Sequence, residues 1–176
     1  MKSIKKPILE FIPVFLGVVL ALFFNNINEN RIDRSKIEGL LSKIERGTSK
    51  NIDNLNLQLQ QNQRVMDSLE FYQDDSSTRI ADIISRSRGI RYIQYDLAAW
   101  NVLKSSELLI DVDYELVSLL YLLNESIDNQ STVQFEYKAS SPLAKEELIS
   151  DLSDYLVDIN HRIYLCKEIQ RLLKDK

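Results

Sequence analysis

The chain has 176 residues, of which 44% are hydrophobic and 27% charged, a balance that excludes wholesale disorder and allows one domain plus a further segment. A formal charge of −4 argues against a general nucleic-acid-binding surface, and a single cysteine, Cys166, excludes an intrachain disulfide. Four glycines and three prolines are too few for a turn-rich sheet and favour long helices.

The first element is an apolar run. Phe11 to Phe24 carry no charged or hydrogen-bonding side chain, and a polar block of Asn25, Asn26, Asn28, Glu29, Asn30 and Arg31 follows. Counted with its flanks from Ile8 to Ile27, the run has twenty positions, about 30 Å of helix. No polar stripe interrupts it, unlike a helix lying on a soluble domain. A cleaved signal peptide needs small residues at its end, whereas this run ends in Leu22-Phe23-Phe24-Asn25. The sequence therefore predicts a retained single-pass transmembrane anchor over 1–30. Lys2, Lys5 and Lys6 lie closer to the run than Arg31, Arg34 and Lys36, which orients the N-terminus toward the cytoplasm and the domain toward the periplasm across a bacterial inner membrane.

Within the anchor, Gly17 and Ala21 form a small-residue pair four apart, permitting close helix approach. Glu10 projects from nearly the same face, seven residues before Gly17. It either bonds across a helix contact or rests in the headgroup layer. Glu10, Gly17 and Ala21 are the candidate helix-contact residues, and Asn25, Asn26, Asn28 and Glu29 the polar cap.

Residues Glu10, Gly17, Ala21, Leu22, Asn25, Asn26, Asn28 and Glu29 together resemble the N-terminal signature of a family of small single-pass membrane proteins from Bacteroidetes-type bacteria. Leu9 stands where that family tends to have glycine, and Ile27 where it tends to have tryptophan. A looser similarity continues in Ala99 to Ser106, before the stretch Leu108 to Leu119. The resemblance implies an anchored helical domain and carries over no catalytic residue.

Beyond the anchor, Ile37, Leu41, Ile44, Thr48, Ile52, Leu55, Leu59, Asn62, Met66 and Leu69 recur three or four apart, which predicts one long amphipathic helix to about Tyr72. Asp74 to Thr78 read as a turn, Arg79 to Arg88 as a short helix, and Gly89 as its left-handed stop. Asp96 is expected to cap a helix holding Leu97, Trp100 and Leu103, and Asp113 to cap one striped by Leu116, Leu119, Leu120, Leu123 and Ile127. Asn129 to Thr132 end or soften that helix. Ser141-Pro142 starts the last helix, with Glu146 and Glu147 in its first turns and an apolar face from Leu148 to Leu173. The expected fold is all-α: an N-terminal transmembrane helix continuing into a long amphipathic one, packed with about four further helical segments as an antiparallel bundle over 31–176.

Little in this chain points to chemistry. The one histidine, His161, sits beside Arg162 in a solvent-facing setting, and no nucleophile elbow, phosphate loop or zinc spacing occurs. The carboxylate pairs Asp74-Asp75, Asp111 with Asp113, and Glu146-Glu147 read as turns, caps and helix starts. Cys166 reads as a small buried apolar residue. Arg79, Arg86, Arg88 and Arg91, interleaved with Tyr92 and Tyr95, make the one basic cluster; a nucleic-acid or anionic-lipid surface could look like this, but in an acidic chain it reads rather as a solvated face pairing with neighbouring carboxylates. The expected function is therefore a non-enzymatic scaffold that self-associates or joins a membrane complex, with the bilayer as partner and no catalytic residue, cofactor, metal or nucleic acid. Two alternatives stand: a sensor input domain acting through a partner, and a membrane-permeabilising effector.

Overall fold

The computed structural model describes residues 5–128 and 142–175, with side chains from residue 13 onward except that of Pro142. Among these residues the fold is all-helical: α1 (Lys5–Phe71), α2 (Ile80–Arg86), α3 (Ala98–Lys104), a 3-10 turn (Glu107–Asp111), α4 (Tyr114–Asp128) and α5 (Pro142–Lys174). The chain divides into two compact units, Met1–Leu40 and Leu41–Lys176.

Helix α1 is helical through Asn25 to Asn30, where Asn25 Nδ2 donates to Glu29 Oε1 at 2.8 Å along the helix face. Pro13 lies inside it, removing one backbone donor. Among the described residues no helix is long and apolar enough to cross a membrane. The reason is visible in the sequence: any stretch of spanning length that starts at Pro13, where side-chain description begins, takes in Asn25, Asn26, Asn28 and Glu29. The expected span starts at Ile8, so its first five side chains lie outside that description.

The second unit is an antiparallel bundle. α5 runs against α1, because Gln58 Nε2 donates to the Tyr155 hydroxyl at 2.5 Å while Lys145 Nζ donates to the carbonyl of Tyr72 at 2.7 Å. It also runs against α4, with Arg162 at Ser126 and Arg171 3.9 Å from Glu115. Leu116, Leu120 and Leu123 of α4 and Leu148, Leu152, Leu156, Ile159, Ile163 and Cys166 of α5 are buried, as their spacing predicts. Trp100 of α3 packs edge-on against Tyr121 of α4, ring centroids 5.0 Å apart.

The buried seam of α1 differs from the expected one. From Ile44 it runs Thr48, Asn51, Leu55, Gln58, Asn62, Val65 and Leu69, alternating steps of four and three. That is a strict seven-residue repeat, the period that keeps one face on a packed neighbour. Ile52, Leu59 and Met66, each one residue off this repeat, are half-buried, and polar Asn51 and Gln58 are buried instead. α5 answers with the same steps, from Lys145 through Leu148, Leu152, Tyr155, Ile159, Arg162 and Cys166 to Ile169, so a lysine and an arginine are inside.

Caps and turns set the remaining boundaries. Asp113 caps α4 as expected, its Oδ1 accepting from the backbone N–H of Glu115 at 2.9 Å and of Leu116 at 3.2 Å. α2 ends in a Schellman turn: Gly89 N–H donates to the Ile84 carbonyl at 2.8 Å and Arg88 N–H to the Ser85 carbonyl at 3.1 Å. Both Arg88 (φ 68°) and Gly89 (φ 78°) are left-handed, so an arginine holds the first position where glycine is usual, at a cost of about 1 kcal/mol. Leu108 to Ile110 lie in the 3-10 turn Glu107–Asp111, which leads to the Asp113 cap. Asp96 does not cap α3: no side chain does, and Asp96 is held by α1 instead. Glu146 and Glu147 fall in the second turn of α5, whose first turn carries no acidic residue. The readings for 129–141 lie outside the described residues.

Candidate functional site

Two features separate this molecule from an ordinary helical domain, and each belongs to one unit. In the first unit, every described side chain from 13 to 32 is exposed. These include Val14, Leu16, Val18, Leu20, Leu22 and Phe23, the last three between 52% and 65% exposed. At about 100° of turn per residue, eleven consecutive positions from 14 to 24 reach every side of the helix. A contiguous apolar surface of this kind marks a lipid or protein contact. Gly17 lies on it with nothing within 4 Å of where a Cβ would stand, and Ala21 is exposed one turn on. Asn25, Asn26, Asn28 and Glu29 are exposed at its polar end. The Glu10 side chain lies outside the described ones.

The second feature is a polar framework inside the second unit. Residues 89–97 form no helix and lie along α1. Asn62 holds this strap at Arg91: its Oδ1 accepts from the Arg91 N–H at 2.8 Å and its Nδ2 donates to the Arg91 carbonyl at 3.1 Å. Asn51 holds Asp96 the same way, at 2.8 and 3.3 Å. Each amide thus acts as the edge of a neighbouring strand would. Eleven helical residues separate the two asparagines, about 16 Å, and five chain residues reach that far only when nearly fully extended, at about 3.3 Å each. The clamp spacing therefore fixes the strap's conformation. Gly47 completes it, since a Cβ there would stand 2.9 Å from the Asp96 carbonyl oxygen. Gln61 Nε2 donates to the carbonyls of Ser87 and, at 3.0 Å, Gly89.

The two buried cations end helices. Arg162 is 1% exposed and donates from Nε (3.1 Å) and a terminal nitrogen (2.7 Å) to the Ser126 carbonyl in the last turn of α4, where the helix dipole is negative. Its other terminal nitrogen lies 3.4 Å from the Tyr95 hydroxyl on the strap. Lys145, fully buried, donates to the carbonyls of Tyr72 and Asp75 just past the end of α1. The Asp75 carboxyl, taking hydrogen bonds from the Ser77 hydroxyl, the Thr78 hydroxyl and the Ser77 N–H, is held well below the usual carboxylate range. The Asp75 turn agrees with the sequence reading of Asp74 to Thr78, but sequence reasoning missed both buried cations. Arg162 looks solvent-facing beside His161, and Lys145 looks like the polar start of a helix. The available signal is the seven-residue step on which both lie.

Burial pushes the Cys166 thiol up to about 12, so no appreciable thiolate forms at neutral pH. The same cause raises the Tyr95 and Tyr155 phenols. Among the described residues no group of three His, Cys, Asp or Glu could hold a metal ion. His161 is exposed. The basic cluster is split: Arg79 pairs with Asp82 at 3.1 Å, Arg91 sits on the strap, and Arg86 and Arg88 share a groove with Arg64. A separate apolar groove of about 680 Å³ opens beside the 3-10 turn, where Ile110 is 89% and Tyr114 84% exposed. It falls in the stretch that follows Ala99 to Ser106. Compared with protein-family models, curated proteins and solved structures, the chain matches none.

Proposed function

We propose that this protein is a membrane-anchored helical interaction module, tethered by the N-terminal part of α1 and acting through association rather than catalysis. One observation carries the reading: apolar side chains from 14 to 24 are exposed on every side of a helix. Left in water, that surface costs about 25 cal/mol per Å² relative to an apolar environment. A bilayer relieves the cost on all sides at once, whereas a single protein partner covers one face. The twenty positions from Ile8 to Ile27 match a hydrocarbon core in length. Asn25 to Glu29 then meet the headgroups, and the open Gly17–Ala21 face admits a second helix, either another copy or a membrane-protein partner. The lysines before the span favour a cytoplasmic N-terminus with the bundle in the periplasm.

Alkaline-carbonate extraction of bacterial membranes tests the anchor. The full chain is expected to stay in the pellet and a Leu16→Gln/Leu20→Gln variant to shift toward the supernatant. Complete extraction of the unaltered chain overturns the proposal. Native mass spectrometry in mild detergent tests association: oligomers that dissociate on Gly17→Leu support the helix face, and a strict monomer without co-purifying protein removes it. Because Cys166 is buried, topology is read by labelling at a new surface thiol, as in a C166S/S153C chain, where Ser153 is exposed.

A further inference from the structure

The groove where the last turns of α1 meet the end of α2 holds about 530 Å³, within the size range of small-molecule sites. Arg64, Arg86 and Arg88 line it with Ser68, Ser87 and Tyr72, and Asp67 is its one carboxylate. Three guanidiniums against one carboxylate leave the groove positive by two charges.

These arginines differ from Arg79, Arg162 and Arg171 in what they are bonded to; among the described residues the Arg91 guanidinium likewise has no partner, but it is not part of the groove lining. Arg79 has Asp82, Arg162 has Ser126 and Tyr95, and Arg171 has Glu168. Among the described residues, no hydrogen bond or ion pair engages the guanidinium of Arg64, Arg86 or Arg88. The nearby carbonyls and Asp67 Oδ1 each already accept a bond from another donor. Ile84 and Ser85 carbonyls accept the Schellman bonds, those of Ser87 and Gly89 accept from Gln61, and the Ile83 carbonyl accepts from Ser87. Asp67 accepts from Gln63 at 2.9 Å. The Ser68 and Ser87 hydroxyls, bonded to each other at 2.8 Å, brace the wall between the two helices. Arg88 also holds a left-handed position that glycine would occupy without strain. The fold thus keeps an arginine where its backbone disfavours one, beside Arg64 and beside Arg86, whose charge acts on Asp82 without a close ion pair.

We propose that this groove binds a phosphate-bearing ligand, either a soluble small molecule or a lipid headgroup, through the guanidiniums of Arg64, Arg86 and Arg88. Planar guanidiniums match phosphate oxygens bidentately, and three around one concave site suit a terminal phosphate or a diphosphate better than a single carboxylate.

Titration calorimetry of the full chain in non-ionic detergent, with inorganic pyrophosphate as the probe and sodium chloride of equal ionic strength as reference, tests this. Binding above the chloride reference is expected, weakened about tenfold by Arg88→Gly and similarly by Arg86→Ala. Arg88→Gly suits the left-handed backbone, so lost binding with unchanged circular dichroism cannot be ascribed to misfolding. Arg91→Ala, which removes a neighbouring positive charge outside the groove, is expected to leave affinity within twofold. Unchanged affinity in Arg88→Gly, or an equal loss in Arg91→Ala, overturns the site in favour of diffuse charge. Competition from mixed micelles of the same detergent with phosphatidic acid, but not from those with phosphatidylcholine alone, marks a headgroup as the source. No competition marks a soluble phosphate. The outcome is independent of membrane extraction, so the anchor and the groove fail separately.

Discussion

The two units of this chain invert one another. From 13 to 32 a helix carries its apolar residues outside, while from 44 to 69 the same helix carries threonine, asparagine and glutamine inside. Hydrophobicity alone would assign them the other way. What decides burial in the second stretch is register. A strict seven-residue repeat selects which positions face the neighbours, and the polar groups there are bonded with one exception among the described seam residues, the buried Oε1 of Gln58. Asn51, Asn62, Lys145 and Arg162 are satisfied by backbone groups of the strap and of helix ends. From 14 to 24 no position is selected, because every side is apolar and exposed.

The sharpest way to break the contrast is to remove a buried cation. Arg162→Ala leaves the Ser126 carbonyl and the Tyr95 hydroxyl without their donor and vacates a large fully packed volume. Charged hydrogen bonds and the cavity together predict a loss of about 3–4 kcal/mol, read as a lowered urea midpoint for far-ultraviolet circular dichroism. Stability within 1 kcal/mol of the parent would show that the interior tolerates an empty helix end.

Asn62→Leu comes next and tests the sign. A rule based on hydrophobicity predicts stabilisation from an added apolar seam residue. The clamp predicts a loss of about 2 kcal/mol, because the N–H and carbonyl of Arg91 lose their partner together. Faster amide exchange at Arg91 should accompany it. Gly47→Ala is smaller, about 1–2 kcal/mol, since its methyl meets the Asp96 carbonyl and the strap must shift to admit it. Should Gly47→Ala be silent, the strap is looser than its bonds imply.

Much of this was legible. The end of α1 near Tyr72, the Asp113 cap, the Pro142 start and the apolar stripes of α4 and α5 all follow from spacing and cap chemistry, which are local signals. The seam of α1 was not. Reading apolar residues alone places Ile52 and Leu59 inward, whereas Asn51 and Gln58 are buried because their partners lie 45 and 97 residues away. Asp96 misled for the same reason: Asn51 pins its backbone beside α1, its carboxylate lies 3.8 Å from Lys50 Nζ, and the cap position falls one residue on, at Leu97. Of the candidate site, the apolar run was plain, but the groove of Arg64, Arg86 and Arg88 joins residues more than twenty positions apart, and only the packing of α2 on α1 makes it one surface.

The smallest expected change completes the comparison from the other side. Leu20→Gln removes an apolar side chain that the chain leaves 52% exposed, and nothing in the bundle's framework bonds to it. Its effect on the urea midpoint of the second unit should stay within about 0.5 kcal/mol. Partition into detergent micelles or vesicles should fall by a larger margin, because a glutamine in hydrocarbon keeps an amide that nothing there satisfies. Measured in one preparation, the two readouts separate the roles of the two regions. A bundle that loses stability with Leu20→Gln would mean that the exposed helix is covered by the chain itself. An unchanged bundle with weakened membrane partition would mean that its apolar surface is made for something outside the chain.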